Sequence, residues 1–77
     1  MNLWQLRSQQ RALLVAIEVS HPATGQRLRD LGFQPGQPVT CVQRSPMGGP
    51  RAFKISSGVY ALDQELAEAI RIELEKG

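Results

Sequence analysis

The chain is poor in the residue types from which catalytic and metal sites are usually built. Its 77 residues include one histidine and one cysteine, so a disulfide within the chain and a cluster of His and Cys ligands are both excluded. The thiol, Cys41, lies in an apolar stretch, where a cysteine usually serves as a small buried hydrophobe and favours a reducing compartment. His21 precedes Pro22 in an expected loop, away from the strand expected to carry Cys41. We therefore predict no enzyme activity, no metal site and no cofactor.

Long apolar runs are also absent. The longest one, Ala12 to Ile17, has six residues, whereas a membrane-spanning helix needs about 20. The first four residues, Met-Asn-Leu-Trp, lack the basic and apolar regions of a signal peptide. The sequence therefore predicts a cytoplasmic protein that does not insert directly into membranes.

Positive charge is present but not concentrated. The net charge is +2, with seven basic and two acidic side chains in residues 1–60 and two basic and five acidic ones in residues 61–77. Capture of nucleic acid requires basic side chains gathered on one face, and those of residues 1–60 are scattered: Arg7, Arg11, Arg27, Arg29, Arg44, Arg51 and Lys54. We therefore do not expect a nucleic-acid partner. The sequence pI of about 9.2 keeps a nucleic-acid-binding module open as an alternative.

Aromatic residues are few as well, at 5% of the chain. We assign Phe33 and Phe53 to the core, place Trp4 over one end of it and place Tyr60 at its rim. This assignment leaves no exposed stacking platform for nucleotide bases. The apolar content of 42% and the charged content of 21% are nevertheless ordinary for a folded protein, and we expect a single domain over residues 1–77.

The first half of the chain predicts a strand followed by a helix. Residues 11–18 are apolar on both faces, with Leu13, Val15 and Ile17 sharing one of them, which is typical of a strand in a barrel or beneath a helix. A helix follows, because Leu28 and Leu31 lie on one helical face. Either Ser20 or Thr24 is its expected N-cap. Gly32 is expected to end it in a left-handed conformation.

The second half predicts three more strands and an end that the pattern leaves open. Strands are expected at 39–44, 52–55 and 59–62, separated by turns rich in glycine and proline. From Leu62 to Leu74 the leucines and isoleucines recur every four residues, which fits one amphipathic helix capped by Asp63. Residues 70–74 also alternate between apolar and charged, which fits a strand. The periodicity does not decide between the two.

Four segments, in order and at consistent spacing, resemble the FeoA family. They are RLRDLGFQPG at 27–36, VTCV at 39–42, PMGGP at 46–50 and LAEAIRIE at 66–73. The sequence departs from the family pattern at Gly49, where the family usually has Asp, and at Asp63, where it usually has a basic residue. These two departures concern contacts with a partner more than the fold.

The resemblance implies a mainly β fold and a role in iron uptake. The implied fold is a small SH3-like five-stranded barrel with one inserted α-helix after the first strand, a short helical turn over 62–70 and a closing strand over 70–74. The implied function is that of a small cytosolic accessory protein of ferrous iron uptake, which regulates the ferrous iron permease by contact with it. That permease carries a cytosolic GTPase domain. Similar domains end some metal-dependent repressors, so a metal-responsive sensor domain is a further alternative. A homodimer through an exposed strand edge is also open.

The loop between the second and third strands is the candidate partner-binding site. Two prolines stiffen its ends and two glycines allow positive φ in its middle. Met47 would then be held outward as a flexible apolar contact, although the loop also fits the role of a stiff connector. The candidate residues are Pro46, Met47, Gly48, Gly49 and Pro50.

Overall fold

The order of elements agrees with the arrangement that the resemblance implies. The structure, a computed structural model, describes residues 1–44 and 48–75. After a 3-10 helix at Leu3–Gln5, the elements are β1 (Arg11–Ile17), α1 (Pro22–Leu31), β2 (Pro38–Gln43), β3 (Arg51–Ile55), β4 (Gly58–Leu62), α2 (Gln64–Glu68) and β5 (Ile70–Leu74). No helix formed by the described residues is long and apolar enough to cross a membrane.

The five strands form one antiparallel sheet in the order β4-β3-β2-β1-β5. Successive strands β2, β3 and β4 are neighbours, while β5 returns to the free edge of β1 and pairs Ile70 with Ile17. Among the described residues no ladder joins β4 to β5, so the sheet is open. The expected five-stranded barrel is therefore barrel-like only in a loose sense.

One face of the sheet carries the core. Ala12 and Leu14 of β1 are buried, whereas Val15 on the opposite face is 46% exposed. Of the two faces of β1, the one predicted to carry Leu13, Val15 and Ile17 is therefore turned away from the core at Val15. The buried hydrophobic residues are Leu3, Leu6, Ala12, Leu14, Leu28, Phe33, Val39, Cys41, Phe53, Ile55, Leu62, Ala67, Ile70 and Ile72.

The aromatic residues lie where the sequence placed them. Phe33 and Phe53 are fully buried, and Trp4 and Tyr60 are partly buried against the core. The rings of Phe33 and Tyr60 meet edge to face with 5.8 Å between their centroids. An edge-to-face pair of this kind adds to the stabilisation from apolar burial.

The start of α1 differs from the prediction, and its end agrees with it. The N-cap is His21, whose side chain makes no capping hydrogen bond. Pro22 follows at the first helical position, where the fixed φ of proline favours the helix and its missing N–H is not needed. Thr24 lies inside the first turn and donates its N–H to the carbonyl of His21, so neither Ser20 nor Thr24 is the cap. Gly32 ends the helix with φ of +114°.

The C-terminal segment is a short helix followed by a strand. The Asp63 carboxylate caps α2 by accepting the Leu66 N–H at 2.9 Å. The helix stops after Glu68, and β5 then pairs with β1. This excludes the single helix through Leu74 that the four-residue spacing allowed, because the edge of β1 offers backbone partners to an extended chain.

Candidate interaction surface

The described part of the predicted partner loop faces solvent. Pro46 and Met47 lie outside the described residues. Gly48 is exposed with φ of +72°, and a Cβ built on it would meet nothing within 4 Å. Pro50 is exposed and Gly49 is half-buried. A loop with this composition can present its residues to another molecule without rearranging the sheet.

Arg51, which follows the loop, is buried at its base. The side chain is only 8% exposed, because the inward face of β3 carries Arg51, Phe53 and Ile55 in alternation. Its guanidinium carbon lies 3.6 Å from the centroid of the Trp4 ring, and its Nη1 donates to the Trp4 carbonyl oxygen. The Nε–H finds no acceptor within the described part of the chain.

Sequence reasoning missed this arginine by treating it as one of the scattered exterior cations. The signal was available, because side chains two apart on a strand share a face. Phe53 was assigned to the core, and that assignment places Arg51 on the core side as well. The stacking of Arg51 on Trp4, by contrast, depends on where the 3-10 helix packs, and the sequence around neither residue predicts that position.

A second arginine adds positive charge at the same place. Arg44 directly follows β2 and Arg51 is the first residue of β3, so the two arginines flank the loop. They lie at the same end of the sheet, because the neighbouring residues Gln43 and Ala52 are paired in the ladder. Burial and the positive charge of Arg44 lower the pKa of the Arg51 guanidinium. Burial raises the pKa of the nearby Cys41 thiol, and the two arginines oppose that rise.

No carboxylate among the described residues forms an ion pair with either of these arginines. The ion pairs between described residues are Arg11 with Glu75 at 3.0 Å and Arg71 with Glu18 at 3.4 Å. Neither of them involves Arg44 or Arg51. The base of the loop is therefore positively charged, and one of its two arginines, Arg51, is more than nine-tenths buried.

A shallow groove runs along α1 on another part of the surface. One end, of about 420 Å³, lies between the start of α1 and α2, and the other, of about 500 Å³, lies between α1 and β4. The two ends share Thr24 and Leu66. Leu28 and Leu31 line the second end, so the groove can accept an apolar side chain.

The described residues bring no metal-binding cluster together. No three His, Cys, Asp or Glu side chains among them are placed to hold an ion. His21 is exposed at the start of α1, and Cys41 is fully buried in β2. Neither is placed as a nucleophile with a base beside it.

Comparison with known proteins identifies the family to which these features correspond. The family model described as the FeoA domain matches residues 1–74. The solution structure of the FeoA protein from Chlorobium tepidum has a TM-score of 0.91 and 26% identity, over 100% of this chain and 72% of that one. A search of curated proteins finds no match.

Two further structures carry descriptions of a role in iron transport. FeoA from Stenotrophomonas maltophilia, complexed with zinc, is described as a prokaryotic SH3 domain protein and a candidate ferrous iron transport activating factor. It has a TM-score of 0.84 and 28% identity, over 95% of this chain and 89% of that one. Iron(II) transport protein A from Clostridium thermocellum has a TM-score of 0.86 and 31% identity, over 96% of this chain but only 45% of that one.

Proposed function

Because the chain belongs to the FeoA domain family, we propose that it is an accessory of ferrous iron uptake that binds the cytosolic, GTPase-bearing part of the ferrous iron permease. The observation that carries this proposal is the family match over residues 1–74. Relatives of 28% and 31% identity that are described as iron transport proteins support it. FeoA is a family of transport accessories, and ferrous iron is the cargo of the pathway.

The side chains favour protein contact over chemistry on the ion itself. No three metal-ligand side chains converge within the described residues, and a tight transition-metal site needs three or four. The groove along α1 and the loop after β2 are both suited to another protein's side chains. The partly or fully buried aromatic residues give little support to the nucleic-acid alternative.

We take the loop of residues 46–50 as the contact surface. A proline- and glycine-rich loop on a rigid sheet can hold an apolar anchor such as Met47 in place before binding, which lowers the entropy cost of association. Gly48 has a left-handed conformation and open space around it, which is consistent with a position that a partner can reach. Loss of a central apolar anchor commonly weakens an interface by about tenfold or more.

The test is an NMR titration of the ¹⁵N-labelled chain with the permease cytosolic domain, with and without a GTP analogue. We expect the amide signals of Gly48 and Gly49 to shift in a saturable manner. Met47→Asp should weaken binding by about tenfold. Val15→Asp is the matched control, since Val15 is 46% exposed on β1 and its replacement makes the same change of an apolar side chain to a carboxylate.

The spectrum of each variant establishes whether it is folded before affinities are compared. Absence of any shift at high concentrations of the permease domain would overturn the proposed partner. Equal affinities for Met47→Asp and the unmodified chain would retain the partner but remove the loop from the interface.

A further inference from the structure

We propose that the free edge of β4 binds an extended segment of another protein as an additional antiparallel strand. An apolar side chain of that segment would enter the groove between α1 and β4, and a basic side chain would lie near Glu65. This inference goes beyond the proposed function, which neither requires it nor is required by it. It rests on the backbone groups of β4, on the groove beside them and on the charge at one end of that groove.

The backbone groups of Val59 and Ala61 face away from the rest of the sheet. Ile55 and Gly58 are paired across a turn of two residues, and the innermost pair of such a hairpin exchanges both of its backbone hydrogen bonds. Bonded and non-bonded pairs then alternate along an antiparallel ladder, so Tyr60 bonds to β3 whereas Val59 and Ala61 do not. Their N–H and C=O groups have no hydrogen-bond partner among the described residues. Both residues are solvent-exposed at the edge of the sheet, so another chain can reach these four groups.

The two outer strands of the sheet differ in how their edges are protected. At β5 the N-terminal residues cover the edge, since Asn2 forms a bridge with Arg71 and the Ile72 N–H donates to the Met1 carbonyl oxygen at 2.9 Å. Within the described part of the chain, β4 (Gly58–Leu62) has no such cover, no charged side chain, no proline and no bulge against β3. Proteins usually protect a free edge by one of these devices, so an edge without them is suited to pairing with another strand.

The groove beside this edge would receive alternate side chains of the added strand. Successive side chains of a strand point to opposite faces of the sheet, and the residue opposite Tyr60 would share the face of Tyr60. On that face lies the second end of the groove, of about 500 Å³, which Tyr60 lines together with Leu28, Leu31 and Leu66. An apolar side chain opposite Tyr60 would therefore be buried there, while the residues on either side of it would face solvent.

Charge at one end of the groove indicates the direction and the kind of segment. β4 ends at Leu62, and Asp63 and Glu65 line the adjoining first end of the groove. Neither carboxylate forms an ion pair within residues 1–44 and 48–75. An antiparallel segment begins at this end, so a basic residue at its start would complement the two carboxylates. Antiparallel pairing with a second copy of β4 would place the uncharged Gly58 there, so a partner segment matches this edge better than a second copy does.

The first experiment titrates the ¹⁵N-labelled full chain with the peptide acetyl-Lys-Thr-Leu-Thr-Val-amide. In the proposed register its leucine lies opposite Tyr60, its lysine lies opposite Leu62, and its two threonines pair with Ala61 and Val59. We expect saturable shifts of the Val59 and Ala61 amide signals, and slower hydrogen exchange at both by about fivefold near saturation. Unmoved signals at both positions would overturn the proposal.

Two N-methylated forms of the peptide distinguish strand addition from binding in the groove alone. Methylation of the second threonine nitrogen removes an N–H that faces β4, and it should weaken binding by about tenfold or more. Methylation of the leucine nitrogen removes an N–H that faces away from β4, so it should leave the affinity within about twofold. Equal weakening by the two methyl groups would overturn pairing at the edge, because contacts in the groove alone do not depend on alternate N–H groups.

Glu65→Gln and Glu68→Gln test the match of charge. Both glutamates are exposed on α2, but only Glu65 of the two lines the groove. Glu65→Gln should weaken peptide binding by about threefold, as for loss of an exposed ion pair, whereas Glu68→Gln should leave it unchanged. Equal effects would overturn the placement of the basic residue. Concentration-dependent shifts of the Val59 and Ala61 signals in the chain alone would overturn the assignment to a partner segment, because they would indicate pairing between two copies.

Discussion

The guanidinium of Arg51 stacks on the indole ring of Trp4, with 3.6 Å between the guanidinium carbon and the ring centroid. The pair joins the N-terminal 3-10 helix to the start of β3, and the same arginine donates a hydrogen bond to the Trp4 carbonyl oxygen. Leu3 and Leu6, on either side of Trp4, are fully buried. A cation and an aromatic ring therefore close one end of the apolar core.

This stacking should appear as a coupling energy between the two side chains. In a double-mutant cycle of Trp4→Leu and Arg51→Met, we expect the pair to be worth about 0.5–2 kcal/mol of unfolding free energy, the range for a cation–π contact from exposed to desolvated sites. Urea denaturation followed by circular dichroism measures it without relying on tryptophan fluorescence. Additive effects within about 0.3 kcal/mol would show that the two residues stabilise the fold independently.

Gly32 and Gly36 can be compared to distinguish the cost of backbone strain from the cost of a steric clash. Both have positive φ, +114° and +88°. An alanine Cβ at Gly36 would meet nothing within 4 Å, so Gly36→Ala should cost only the backbone strain, about 1–2 kcal/mol. At Gly32 the Cβ would lie 2.9 Å from the Ser57 Oγ, which itself donates to the Leu31 carbonyl oxygen at 2.6 Å.

We therefore expect Gly32→Ala to be the more destabilising substitution, by about a further 1–3 kcal/mol, the usual range for overpacking. Thermal or urea unfolding of both variants gives the comparison. Equal losses at the two positions would mean that Ser57 moves aside without cost.

The buried thiol of Cys41 should make stability fall at alkaline pH. Burial raises its pKa above the ordinary value of 9.0, against the opposing effect of Arg44 and Arg51. Because the folded state favours the neutral thiol, its contribution is complete below the pKa of the unfolded chain. It is lost as the pH rises from there through the higher pKa of the folded state.

Urea unfolding of the unmodified chain and of Cys41→Val, at intervals from pH 7 to 10, tests this. The unmodified chain should lose stability relative to the variant above about pH 9, the ordinary thiol pKa. Below that pH, alkylation of the native thiol should be slower than in the denatured chain by about two orders of magnitude, since reaction needs a local opening. Parallel pH profiles, or equally fast alkylation, would contradict the burial of Cys41.

The sequence by itself determined the features that depend on a few neighbouring residues. The end of α1 at Gly32 and the cap of α2 at Asp63 were both predicted, because each satisfies backbone groups within three or four positions along the chain. Burial of Phe33, Phe53 and Cys41 was also predicted, since strongly apolar side chains have few other places in so small a fold. The succession of the first four strands and the helix was also predicted from the residue pattern, whereas the short helical turn and the closing strand after Leu62 were predicted only through the resemblance to the family.

Only the tertiary structure decided the features that depend on residues distant in sequence. Residues 70–74 form a strand because β1, more than fifty positions earlier, has an unpaired edge. The Arg51 guanidinium stacks on Trp4 because the 3-10 helix brings that ring over it from 47 positions away. The order β4-β3-β2-β1-β5, with no ladder between β4 and β5 among the described residues, likewise cannot be read from any one segment of the sequence. A local sequence pattern predicts which backbone groups of a segment need hydrogen-bond partners and which of its faces is apolar. Which residues then pair with those groups or pack on that face depends on where the rest of the chain lies.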